Sequence, residues 1–154
     1  MKKSIFSIAL LLLSGKAFGQ WVNKSVDNGL DNPYKIAYCD SKQSSMFYAK
    51  LEKTSKGMAF YVSGGYFCED AILVDVAFKV NEEWKKYQFV GTTSSSKKSL
   101  FIIDDLTSQT CFEDFKSATD MVMRINDNVC GSDDYTFNMT NSTNSYNFVF
   151  NQNK

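Results

Sequence analysis

The stretch Asp70-Ala71-Ile72-Leu73-Val74-Asp75-Val76-Ala77-Phe78-Lys79-Val80 decides the fold class. Ile72, Val74, Val76, Phe78 and Val80 recur at period two, which places them on one face of a β-strand. Asp75 and Lys79 fall on the other face with Leu73 and Ala77, so one side reads as core and the other as half wet. Asn81-Glu82-Glu83 is a turn, and Trp84 to Gly91 returns as the partner strand. The same reading extends outward in both directions. Strands are predicted over Tyr34–Cys39, Ser45–Glu52, Gly57–Ser63, Ser99–Ile103, Asp120–Asn126 and Asp134–Thr140. Phe47, Ala49 and Leu51 share one face, as do Met121, Met123 and Ile125, and Tyr135, Phe137 and Met139. Residues 111–118 are predicted as a short helix on the sheet, because Thr110-Cys111-Phe112-Glu113 has the capping-box form and Phe112, Phe115 and Ala118 are spaced by three. The tail Asn141–Phe150 reads as a helix capped by Asn141 or Ser142, with an alternating strand as the alternative. The fold class expected is mainly β: a single antiparallel β-sandwich domain with one or two short helices and two disulfides.

The N-terminus has the three-part layout of a secretory signal: Lys2 and Lys3, an apolar run from Ile5 to Leu13, then Ala17 and Gly19 at the small positions before a cut. Residues 1–19 are therefore expected to be removed, leaving 20–154 as one domain. Cleavage after Ala17 is the close alternative. An apolar run of about nine residues is far short of the roughly 20 that span a bilayer. The layout suits a bacterial or phage protein and predicts a periplasmic or secreted location with no transmembrane segment.

Composition excludes several function classes. The whole chain carries 17 basic and 17 acidic residues. Loss of Lys2, Lys3 and Lys16 would lower the basic residues from 17 to 14, a net charge of about −3. A net acidic chain whose only arginine is Arg124 disfavours a nucleic-acid or anionic-membrane partner and lacks the usual bidentate phosphate and base readers, so no nucleic-acid partner is expected. With 0 histidines there is no Ser-His-Asp or Cys-His activation and no His-containing zinc site. No cofactor motif occurs.

The 4 cysteines, Cys39, Cys68, Cys111 and Cys130, all lie after the signal. An even count in an exported chain reads as two disulfides. Three pairings exist; Cys39–Cys68 with Cys111–Cys130 is preferred, because near neighbours cost least chain closure. A four-cysteine metal site is disfavoured by the lack of any C-x-x-C spacing.

Candidate sites are few. Asn126–Asp134 looks like a calcium loop, but taking Gly131 as the sixth position puts Cys130 fifth and Phe137 twelfth, where oxygen ligands are required. It reads instead as a polar turn pinned by Cys130. The pairs Glu69-Asp70, Asp104-Asp105 and Glu113-Asp114 offer carboxylates of the kind glycoside hydrolysis uses, though adjacent acids at strand ends are more often solvated rims. Ser63-Gly64-Gly65-Tyr66 resembles the Ser-Gly-x-x-Tyr loop of small periplasmic lysozyme inhibitors, one residue shorter. These four residues are the candidate partner contact; a plain Gly-Gly hairpin turn is the structural alternative.

The order of elements resembles the invasion-associated-protein-B type of secreted β-sandwich, a group that includes small periplasmic proteins found near type VI secretion genes. The likeness rests on the early Trp21, on Tyr38-Cys39 at a strand end, and on Asp75-Val76-Ala77-Phe78-Lys79-Val80 with its return strand. It rests also on the helix and strand from Phe112 to Ile125 leading to Tyr135–Met139. The chain departs from the group at Thr140-Asn141-Ser142-Thr143, where a Gly-containing turn is usual. The resemblance implies a β-sandwich in the envelope and transfers no catalytic residue. The function expected is a non-enzymatic protein-binding module whose partner is another envelope protein. An inhibitor or immunity protein against a lysozyme-like or other wall-degrading enzyme is the narrower alternative, and a carboxylate-based hydrolase the third.

Overall fold

The computed structural model describes residues 19–27, 29, 33–54, 57–102 and 108–150. The expected signal therefore lies outside the described residues except for Gly19, as do Ile103 and the Asp104-Asp105 pair.

Among the described residues nine strands and two helices follow one another in the order β1 (Val22–Val26), β2 (Tyr34–Asp40), β3 (Tyr48–Thr54), β4 (Gly57–Ser63), β5 (Ala71–Val80), β6 (Glu83–Thr93), β7 (Ser99–Phe101), α1 (Ser108–Ser117), β8 (Asp120–Asp127), β9 (Gly131–Asn138) and α2 (Ser142–Phe150). The strands form one antiparallel sheet in the order β1-β2-β3-β4-β7-β6-β5-β8-β9. The architecture is thus mainly β and antiparallel, as the alternation predicts, but it is one sheet and not two stacked ones.

The deciding stretch is β5, between β6 and β8, and its predicted face is the core: Ile72, Val74, Val76, Phe78 and Val80 are all buried. Its turn into β6 has two central residues, Asn81 and Glu82, with φ of 49° and 66°. Positive φ at both positions is the primed turn that matches strand twist. Met121, Met123 and Ile125 of β8 and Phe137 of β9 continue the buried face.

The sheet coils until its two ends meet, because twist accumulates across nine strands. Phe47, just before β3, stacks on Tyr135 of β9 with ring centroids 3.6 Å apart. The Lys42 N–H donates to the Thr136 carbonyl at 2.7 Å, and the Trp21 N–H to the Thr140 carbonyl at 3.3 Å. The two helices fill the inner face. Phe115 of α1 is the hub, with ring centroids of Trp21, Phe60, Phe78 and Phe112 at 5.0, 6.0, 6.0 and 6.2 Å.

α1 begins at Ser108, so Thr110 lies within its first turn and does not cap it. The tail is a helix, as preferred. The Ser142 and Thr143 hydroxyls of its first turn donate to the Lys116 carbonyl at 3.3 and 2.6 Å. They satisfy a carbonyl that the end of α1 would otherwise leave open.

The cysteine pairing is corrected. Cys68 bonds to Cys130 across 62 residues, while Cys39 and Cys111 are free and buried. Neither Cys39–Cys68 nor Cys111–Cys130 forms. Because β8 pairs with β5, the β8–β9 turn lands beside the start of β5. Cys39 points elsewhere, its Sγ donating to the Asn138 carbonyl at 3.4 Å. Burial pushes both free thiols up to about 12.

Candidate partner-contact rim

In this sheet β2, β4, β6 and β8 run the same way, so the loops that follow them collect at one end: residues 41–47, 64–70, 94–98 and 128–130. They are bound to one another by backbone groups that strand pairing leaves free. Gly64 and Phe67 N–H donate to the carbonyls of Lys98 and Lys97 at 3.2 and 2.9 Å. The Lys97 ammonium pairs with the Asp70 carboxylate. Glu69 accepts the Asn128 N–H at 2.9 Å.

Asp127 is the anchor beneath the disulfide. Its Oδ2 accepts the Cys68 N–H at 2.7 Å, and its Oδ1 accepts the N–H groups of Val129 and Cys130 at 3.0 and 2.9 Å. Burial is the largest single influence on this carboxyl and opposes ionisation; the donated N–H groups together outweigh it and hold the carboxyl below its ordinary range. Cys68, Asp127 and Cys130 bring three metal-type ligand atoms together. The sulfurs are joined to each other and the carboxylate is taken by amides, so the cluster is a structural clamp.

Of the four predicted contact residues Tyr66 alone offers an exposed side chain; Gly64 is exposed as backbone. Ser63 is buried, its Oγ 2.7 Å from that of Ser99. Gly64 has φ +95°, and a Cβ there would lie 1.6 Å from the Met46 carbonyl oxygen, so only glycine lets loops 41–47 and 64–70 approach this closely. Gly65 sits against the Phe47 and Phe67 rings. Tyr66 is 70% exposed, whereas Phe67 beside it is 4% exposed and belongs to the core.

Two further side chains escaped the sequence reading. Met46 is 76% exposed and Val129 73%, each on a different rim loop. Met46 lies in no motif and Val129 falls in the Asn126–Asp134 turn, which reads only as polar; the pairing order brings both to the same end as Tyr66. A cleft of about 140 Å³ opens beside Tyr66, lined among others by Gly65, Asp127, Asp133 and Tyr135. That is below the roughly 300 Å³ of ordinary small-ligand pockets. A larger groove of about 530 Å³ lies on the outer face of β5, β6, β8 and β9. Within it Arg124 grips Asp134 at 2.7 and 2.8 Å and Asp75 accepts from Gln88 and Asn126 at 2.8 and 3.0 Å, while Lys86 also lines the groove.

The described acidic pairs are likewise engaged. Glu113 pairs with Lys116 at 2.5 Å, and Asp114 accepts the Tyr87 hydroxyl at 2.5 Å.

The fold and rim define a class: a coiled antiparallel sheet wrapped over two helices, with a loop rim stapled at one end. No protein-family model matches the chain, and no curated protein matches it. Among solved structures it is similar to the crystal structure of invasion associated protein B from Bartonella henselae, with a TM-score of 0.57 and 9% identity, over 87% of this chain and 94% of that one. The likeness is one of fold.

Proposed function

We propose that this chain is an exported, non-enzymatic binding module of the cell envelope, periplasmic or secreted, that meets a partner protein through the rim. One observation carries the reading: Met46, Tyr66 and Val129 stand exposed on three different loops that backbone hydrogen bonds, a close glycine contact and a disulfide hold in fixed relation. Preorganised loops lose little entropy on binding, and an exposed tyrosine offers a large contact area with a polar tip. Among the described residues no helix is long and apolar enough to cross a membrane.

The narrower reading, an inhibitor or immunity protein against a wall-degrading enzyme, is favoured by the Ser63–Tyr66 loop. Its base is buried and only Tyr66 projects, the shape needed to enter an enzyme cleft. The carboxylate-hydrolase reading has less support, since Glu69, Asp70, Glu113 and Asp114 are each engaged by an amide, a lysine or a tyrosine.

A photoreactive side chain placed at Tyr66, and in a control at Lys85 on the opposite end of the sheet, tests the proposal in intact cells. A covalent adduct to one envelope protein from position 66 and none from 85 is expected. Equal labelling from both positions would remove the rim from the account.

A further inference from the structure

The two edges of the sheet are treated differently. At β9 the end nearest α2, Thr136 and Asn138, is closed, while Gly131–Asp134 stays exposed. The Gln43 side-chain carbonyl accepts the Thr136 N–H at 2.9 Å, the Lys42 N–H bonds to the Thr136 carbonyl at 2.7 Å, and Cys39 caps the Asn138 carbonyl. At β1 no described strand pairs with the far side. An open edge is a template for another strand, and proteins normally blunt it with short length and lysine; β1 has five residues with Lys24 at the centre, so the edge admits a guest only where that charge is answered.

The side chains of β1 specify the guest. Val22 faces Tyr38, Lys24 faces Ile36 and Val26 faces Tyr34, which puts all three on the outer face; Asn23 lies over Ala37 on the inner side. Val22 is 45% exposed. Behind Lys24 lies a hollow of about 300 Å³ to which Ile36, Tyr38, Tyr48, Asp40 and Lys50 contribute; Lys50 is paired with Glu52 at 3.4 Å, so the cation turned to a guest is Lys24. A second copy of this chain is a poor guest: antiparallel pairing centred on β1 sets Lys24 directly against Lys24, and like charges opposite each other are destabilising.

We infer that β1 is a docking edge for an extended segment of a partner protein, added as a tenth strand, with an acidic side chain opposite Lys24 and apolar side chains two residues to either side. Backbone hydrogen bonds supply the affinity and the alternating side chains the choice of guest. The inference rests on reading the protein as a binding module, but it uses a surface separate from the rim.

The test uses the full chain and two ten-residue peptides, one built on Val-Thr-Glu-Thr-Val and its twin with lysine for glutamate. Hydrogen exchange and amide shifts should report slowed exchange at residues 22–26 with the glutamate peptide. That peptide should bind about fivefold more tightly than its twin, the size of one opposite-charge pair replaced by a like-charge pair. The Lys24→Glu variant should reverse the order, and Tyr66→Ala should leave it unchanged. Protection of β1 before peptide is added would mean that another part of the chain or a second copy already holds the edge, and would overturn the inference. So would equal binding of both peptides, or binding to neither. Labelling from position 66 in cells together with no peptide binding would sink the edge and leave the rim standing.

Discussion

Cys68 and Cys130 meet on the rim, while Cys39 and Cys111 stay apart in the core, and the two pairs do different work. The rim loops send Phe47 and Phe67 into the core, and beyond these they are held by a covalent bond and by the Asp127 clamp. The core has Phe115 ringed by four aromatics and needs no cross-link; its two thiols act as small apolar fillers. On the proposed reading, stability and contact are separated in this molecule: packing carries the first, and the stapled loops would carry the second.

The largest effect expected lies in the core. Phe115→Ala should lower unfolding free energy by about 3–5 kcal/mol in urea titrations, since neighbouring rings and helices cannot collapse into the space. A loss under about 1 kcal/mol would mean that α1 is not packed as described.

Next comes the staple. Replacing Cys68 and Cys130 together by Ala should lower stability by about 2–4 kcal/mol, with faster amide exchange confined first to residues 64–70 and 128–130. The same contrast appears in thiol counting. The unreduced protein, once denatured, should expose two thiols, Cys39 and Cys111, and yield one cross-linked peptide pair containing Cys68 and Cys130. In the folded protein neither thiol should react near pH 8, because burial holds both near 12.

The Asp127 clamp gives a smaller and pH-dependent effect. Its folded-state carboxyl sits below the ordinary value of about 3.9. Its contribution is therefore fully present above that ordinary value and disappears as pH falls through the lower folded one. Asp127→Asn should cost about 1–3 kcal/mol at pH 7, and the gap to the wild type should narrow below about pH 4. A gap independent of pH would assign the loss to shape and not to charge.

The core was legible in the sequence because period-two alternation reports burial directly. β5, β8 and the inward residues of β9 follow from it. β1 was missed: Val22-Asn23-Lys24-Ser25-Val26 has apolar residues only at its ends, and its pairing with β2 alone makes it a strand. The disulfide was misassigned because sequence proximity stands in poorly for spatial proximity in a sheet whose order interleaves distant segments. Cys68 and Cys130 are 62 residues apart in sequence with Cα atoms 5.8 Å apart. For the same reason Tyr66 was visible from its Gly-Gly turn, while Met46 and Val129 were not.

The smallest expected effect on stability bears on the central claim, that the rim binds and the core holds. Tyr66→Ala removes an exposed ring and should shift unfolding free energy by no more than about 0.5 kcal/mol. It should weaken binding to the protein labelled from position 66 by about 1–3 kcal/mol, or roughly 5- to 150-fold in Kd. Melting temperature and Kd measured on this one variant decide the matter. An unchanged melting temperature with weakened binding is the predicted result, and a lowered melting temperature with unchanged Kd would contradict the account.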